Sequence, residues 1–181
     1  GYNVAAAALI GSYAPGFVLV VQPADLPHLA AWVGSVPSWN PDEIDVLIDA
    51  AGVAEHNPTQ MGNYLAHAIN GSIPSHHPWR SVTLYSWSAP KDHGPLSVGR
   101  NNVDRRDWLT WLQARTQVPF QLDFSDSGHV HPSLDEVPGY AMANATVSVR
   151  YAVDNRWIIH KGVQTSGPNG IQMTAQYKGH A

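Results

Sequence analysis

The feature that most constrains this chain is an alternation of short apolar runs with helix-like segments. Four runs have the length and composition of buried strands: "FVLVV" (Phe17 to Val21), "DVLI" (Asp45 to Ile48), "SVTLYS" (Ser81 to Ser86) and "FQLDF" (Phe120 to Phe124). Each follows helical material. "NVAAAALIG" ends at Gly11 as a glycine-capped helix would, and "DLPHLAAWVG" offers Asp25 as N-cap, an early Pro27 and a terminal Gly34. Asn57 and Pro58 open a third helix, "TQMGNYLAHAIN". "DRRDWLTWLQAR" opens a fourth, with Asp104 and Asp107 spaced as an Asp variant of the capping box. Strands alternating with helices in this way predict an α/β fold of parallel βαβ units rather than an antiparallel sandwich.

The tail reads differently. In "ATVSVRYAVDNRWIIHKG" two extended runs flank Asp154 and Asn155, residues that tolerate positive φ, so an antiparallel β-hairpin is expected there. Alternation sets Val147, Val149 and Tyr151 on one face and Thr146, Ser148 and Arg150 on the other. A unit that begins with a helix lacks the strand that should feed it, and four βα units are half of an eight-stranded barrel. The expectation is one domain over 1–181, forming half of a TIM-barrel-like fold and serving as the C-terminal half of a longer protein. An open parallel sheet gives the same local pattern.

Composition removes several function classes. A net charge of −4, with 13% charged residues, provides no broad basic field for a nucleic-acid duplex, although a local basic patch stays open. No apolar run approaches the roughly 20 residues that span a bilayer, so no membrane partner is expected. The absence of cysteine removes thiolate metal sites and thiol nucleophiles and suits a cytoplasmic location. "PLSVGRNN" holds the single Gly99 and not a spaced phosphate-binding set, and no Gly-x-Ser-x-Gly elbow occurs. No cofactor is expected.

Ligands of parallel α/β folds bind at the carboxyl ends of the strands. The polar residues expected there are Gln22, Asp25, Asp49, Ser86, Ser88, Asp123 and Asp126, with Arg150 and Lys161 reaching in from the hairpin. Asp49, Asp123 and Asp126 are the candidate catalytic carboxylates, because two nearby acids can divide the donor and acceptor roles. Against this stands the ordinary use of Asp in turns and caps. Arg100, with Arg105 and Arg106, is a candidate phosphate contact near a helix start, the alternative being salt bridges to Asp104, Asp107 and Glu136. Trp87 stands at a strand end, where its ring is placed to stack on a ligand. His129 and His131 have a weak metal-ligand spacing within a polar loop, so no metal site is expected.

Taken together, "WRSVTLYSWSAPKD", "RRDWLTWL", "FSDSG", "ATVSVRYAVDNRWIIHKG" and the late "GIQM" resemble the C-terminal half of the "beta family protein" group of bacteria and phages. The resemblance covers about Trp79 to Met173, with weaker agreement in "IDVLIDAAG". The group's Ile-Arg-Tyr element falls on Val149, Arg150 and Tyr151, and its Trp-x-Ile-x-Lys/Arg-Gly element on Trp157, Ile159, Lys161 and Gly162. Its Gly-Asp-Tyr element reads Ser125, Asp126 and Ser127 here, keeping the acid and changing both neighbours. The resemblance implies a longer parent protein and a setting among phage and host conflict genes, and no reaction. Three functions compete: a recognition module binding a polar or phosphate-bearing ligand through Asp126, Arg150 and the Arg100 loop; a carboxylate-dependent hydrolase; and an assembly protein packing on a protein partner or on a missing amino-terminal half. In the first, Asp126 and Arg150 are expected to pair, with the hairpin lying beside the fourth parallel strand.

Overall fold

The computed structural model describes residues 16–90, 93–127 and 148–162. The expected first helix, the His129 and His131 loop, Thr146 and Val147 lie outside them. The chain divides into two compact units, Gly1–Ser86 with Asp107–Asp126, and Trp87–Arg106 with Ser127–Ala181.

The first unit is built on a parallel sheet. β1 (Phe17–Val21) pairs with β2 (Ile44–Gly52), Phe17 standing opposite Ile44 and Val21 opposite Ile48. β3 (Ser81–Trp87) follows, and the strand after the next helix, Asp123–Ser125, pairs parallel to it with Thr83 opposite Asp123. The sheet thus runs through its strands in chain order. The predicted adjacency of the first two strands holds. So does the α/β class.

The connections use local chemistry. After β1 a 3-10 helix (Pro23–His28) leads into α1 (Leu29–Gly34); its N-cap is Gln22, and Asp25 sits in its first turn rather than capping it. α2 (Pro58–Ser72) begins as its sequence predicts: Asn57 Oδ1 accepts the Thr59 and Gln60 amides at 3.0 and 3.1 Å. Its buried residues Gly62, Leu65, Ala66 and Ile69 follow the i, i+3, i+4, i+7 spacing of one helix face. α3 (Arg106–Arg115) starts two residues beyond Asp104, which ends a strand instead, and Asp107 lies buried in its first turn.

The core lies on one face of this sheet. Ile44, Val46 and Ile48 of β2 and Val82 and Leu84 of β3 are buried with Leu65 and Ile69 of α2 and Trp111 of α3. Each fully buried aliphatic side chain contributes roughly 1.5–3 kcal/mol. The opposite face is far less covered, Val18 and Val20 being 53% and 59% exposed.

The last parallel strand is shorter than "FQLDF" suggests. It begins at Asp123, and the carbonyl of Leu122 just before it accepts the Trp111 indole N–H at 3.0 Å.

The second unit is a three-stranded antiparallel sheet. Numbered in chain order, β4 (Gly99–Asp104) precedes β5 (Asp123–Ser125), and the hairpin strands are β6 (Ser148–Val153) and β7 (Arg156–Lys161). Val153 faces Arg156, leaving Asp154 and Asn155 as the turn, as predicted. β4 pairs with β7, Gly99 opposite Lys161 and Asp104 opposite Arg156. This corrects two expectations: "GRNN", read as the Arg100 loop, is a strand, and the hairpin's partner is β4, not the fourth parallel strand. Trp157 and Ile159 are buried with Ala89 and packed by Leu96 and Val103. Arg105 is buried too, its guanidinium 5.1 Å over the Trp157 ring. Among the described residues no helix is long and apolar enough to cross a membrane.

Candidate functional site

The open face of the parallel sheet can be followed strand by strand. Opposite residues share a face, so the pairs Val18 with Asp45 and Val20 with Leu47 set these four on the side away from Ile44 and Val46. Ser81 Oγ donates to Asp45 Oδ1 at 2.7 Å, which puts Ser81, Thr83 and Tyr85 on that side. Asp123 and Ser125, opposite Thr83 and Tyr85, join them. The polar groups gather toward the carboxyl ends.

At the amino end Asp45 is already engaged. Arg80 grips it through two nitrogens, Nε standing 2.9 Å from Oδ1, and Ser81 adds a third bond. The Arg80 hydrogen bond is the largest cause that holds the Asp45 carboxyl down, at about 2.

At the carboxyl end the centre of the cluster is Tyr85. Burial first, and then the negative charges of Asp49 and Asp126, raise its phenol above the ordinary value of 10.0. Tyr85 is thereby held in its neutral form, an O–H donor and acceptor within the field of two acids. Asp49 reaches it from β2 and Asp126 from just beyond β5. Asp49 also accepts the Ala51 amide at 2.9 Å, and Ala51 has a φ of 57°, a left-handed conformation that non-glycine residues seldom adopt. Such local strain concentrates at functional edges.

The charges of Asp49 and Asp126 both act on Tyr85, a residue whose side of the sheet the sequence alone does not settle. Asp123 lies on the same face, one strand position before Phe124, and accepts Gln121 Nε2 at 2.8 Å. Ser86 is buried on the helix side of β3, and Ser88 is buried under the Trp157 indole N–H at 3.4 Å, so neither is presented to a ligand. Gln22 is exposed just past β1, where its carbonyl accepts the Asp25 amide at 2.9 Å. Trp87 is the half-buried last residue of β3, on Tyr85's side by alternation.

The basic candidates belong to the second unit. Arg150 donates to the Pro90 carbonyl at 3.1 Å and lies 3.5 Å from His93 Nε2, and burial lowers its pKa from the ordinary arginine value. Lys161 Nζ donates to the carbonyls of Gly94 and Leu96, each at 2.7 Å. Both cations tie down the chain ahead of β4. Arg100 is exposed on β4, opposite His160. The expected Asp126–Arg150 pair rested on a hairpin beside the fourth parallel strand, and β4 holds that place in the hairpin's sheet instead.

Among the described residues no group of three or more His, Asp or Glu side chains is arranged to hold a metal ion. An apolar cavity of about 350 Å³, walled by Leu29, Val33, Trp39 and Trp79, lies where the strands begin and carries none of the candidate groups.

Residues 12–181 match the family model described as Beta protein. No curated protein and no solved structure matches the chain. The match spans nearly the whole sequence and bears out the resemblance drawn from "SVTLYSWSAPKD" and "VSVRYAVDNRWIIHKG": the chain belongs to the Beta protein family.

Proposed function

We propose that the carboxyl edge of the parallel sheet is a recognition site for a polar ligand rich in hydrogen-bond donors. What supports this is the open sheet face that carries Asp49 and Tyr85, with the charges of Asp49 and Asp126 both opposing ionisation of the Tyr85 phenol. Two carboxylates present only acceptors, and Tyr85 adds one adaptable O–H, so amines and hydroxyls are matched better than anions. The basic side chains of this unit strengthen the preference. It has no lysine; Arg80 is held by Asp45 at the amino end, and Arg115 lies on α3.

Calorimetric titration with spermidine, a neutral disaccharide and inorganic phosphate tests the reading. Binding of either donor-rich probe, weakened at least tenfold in Asp49→Asn and Asp126→Asn, supports it. Binding of phosphate alone, or binding unchanged in both variants, overturns it.

The sheet itself fits half of a barrel wall. Its strands neighbour one another in chain order, whereas a doubly wound sheet reverses order at a switch point. Parallel sheets are ordinarily covered on both faces, and this one leaves Val18 and Val20 in the open. A second set of strands, from an amino-terminal half or a partner, would turn that face into a barrel interior.

A second reading, carboxylate-dependent hydrolysis, has one observation in its favour. Asp49 lies in β2 and Asp126 just past β5, the strands on either side of β3, so their backbones stand roughly two strand spacings, about 9–10 Å, apart. That lies at the wide end of the roughly 6.5–9.5 Å that leaves room for a water between two acids. Glycoside turnover lost in Asp49→Asn would select this reading over simple recognition.

A further inference from the structure

Apart from that edge, the parallel-sheet unit holds a second concave site, between α3 and β5. Trp108, Trp111, Phe120 and Phe124 wall a cavity of about 670 Å³, with Arg115 and Gln121 at its rim. The volume falls within the roughly 300–1,000 Å³ of small-ligand sites. Its aromatic walls are fixed in advance. The Trp111 indole is pinned by its bond to the Leu122 carbonyl, Trp108 meets Phe124 edge-on with centroids 5.0 Å apart, and Trp111 lies 4.7 and 5.5 Å from those two rings.

One side chain shows what these walls attract. The Arg115 guanidinium carbon stands 5.0 Å over the Trp111 ring, where the ring's negative face draws a cation. Arg115 is exposed and carried on a flexible stem, so it can leave the ring without disturbing the core beneath. β5 ends the sheet among the described residues, and its residues Asp123 and Phe124 line the cavity. Backbone groups and a cation-seeking aromatic wall therefore meet in one place.

We propose that this cavity binds a planar organic cation, the guanidinium of an arginine, and that Arg115 is its intramolecular occupant when no ligand is bound. The same chemistry arrives from two sources, a free arginine derivative or an arginine within an extended peptide, which would add backbone bonds along β5. Arg115 then acts as a built-in competitor. It lowers affinity for the incoming cation and covers the ring in its absence.

Tryptophan fluorescence and calorimetry on the full chain test this with two probes, N-acetylarginine amide and an acetylated pentapeptide whose central arginine is flanked by valines. Binding of the amide is expected at a dissociation constant on the order of millimolar, as for a small ligand held by one cation–π contact. Arg115→Ala is expected to tighten it roughly threefold to tenfold by removing the competitor, and Trp108→Leu to weaken it. A helix pair serving stability alone would respond in the opposite sense, with Arg115→Ala losing stability and gaining no affinity. A pentapeptide that binds at least tenfold tighter than the amide assigns the β5 edge to the site, and equal affinities assign the cavity by itself. Failure of both probes to bind, or an Arg115→Ala variant that binds no tighter, overturns the proposal.

Discussion

Two glycines of α2 should respond to the same substitution with opposite signs. Gly→Ala in a helix interior normally stabilises by about 0.5–1 kcal/mol, because glycine loses more backbone entropy on folding. A Cβ at Gly62 would stand 2.6 Å from Gln113 Cβ, 2.7 Å from its Cγ and 2.8 Å from the Thr110 carbonyl oxygen. None of these is the yielding tip of a side chain. α2 and α3 must separate or tilt to admit the methyl group, and overpacking of this kind costs about 1–3 kcal/mol. Gly71, in the last turn of the same helix, meets nothing within 4 Å and should show the propensity gain alone. Gly62→Ala is thus expected to lose about 1–2 kcal/mol and Gly71→Ala to gain up to about 1, a gap of roughly 2–3 kcal/mol in urea unfolding followed by far-UV circular dichroism. Equal stabilities of the two variants would refute the close α2–α3 packing on which the core of this unit depends.

Asp45, held at about 2 against an ordinary 3.8, is more acidic folded than unfolded. Its stabilisation is present above the unfolded value and is lost as pH falls toward 2. Because Arg80 is nearly half exposed, screening limits the effect to about 1 kcal/mol. Urea midpoints between pH 5 and 2 should fall less steeply in Asp45→Asn than in the parent, and parallel slopes would count against the pair. Asn57→Ala, which strips the acceptor from the Thr59 and Gln60 amides, should destabilise by about 1 kcal/mol in the same assay. Ala51→Gly relieves a φ of 57° and should raise the thermal midpoint, with no gain if the turn carries no strain.

The parts legible in the sequence are those fixed by neighbouring residues. Asn57–Pro58 announces its helix, the aliphatic run Phe17–Val21 its strand, and Asp154–Asn155 its turn, because each is decided within a few residues. β4 escaped because "GRNNVD" has no apolar alternation; it is held by β7 and by Asn101 Nδ2, which donates to the Ser97 and Gly99 carbonyls at 2.8 and 3.0 Å. Missing that strand put the hairpin beside the wrong neighbour. Asp49 and Asp126 were legible as strand-end acids, but Tyr85 was not, since its side of β3 is settled by register with β2 and β5. The aromatic cavity had a local sign, Trp108, Trp111 and Arg115 at i, i+3 and i+7, which a reading of tryptophan as core material passes over.

The most direct test of the proposed site is the titration of Tyr85 itself. With ring-labelled tyrosine, carbon NMR follows each phenol through alkaline pH, and Tyr85→Phe identifies the resonance. Tyr85 is expected to titrate above 10.0, and Asp49→Asn and Asp126→Asn each to bring it down, because each removes one of the charges that oppose its ionisation. A Tyr85 that titrates at the ordinary value, or that neither substitution moves, would contradict the claim that these three side chains form one site.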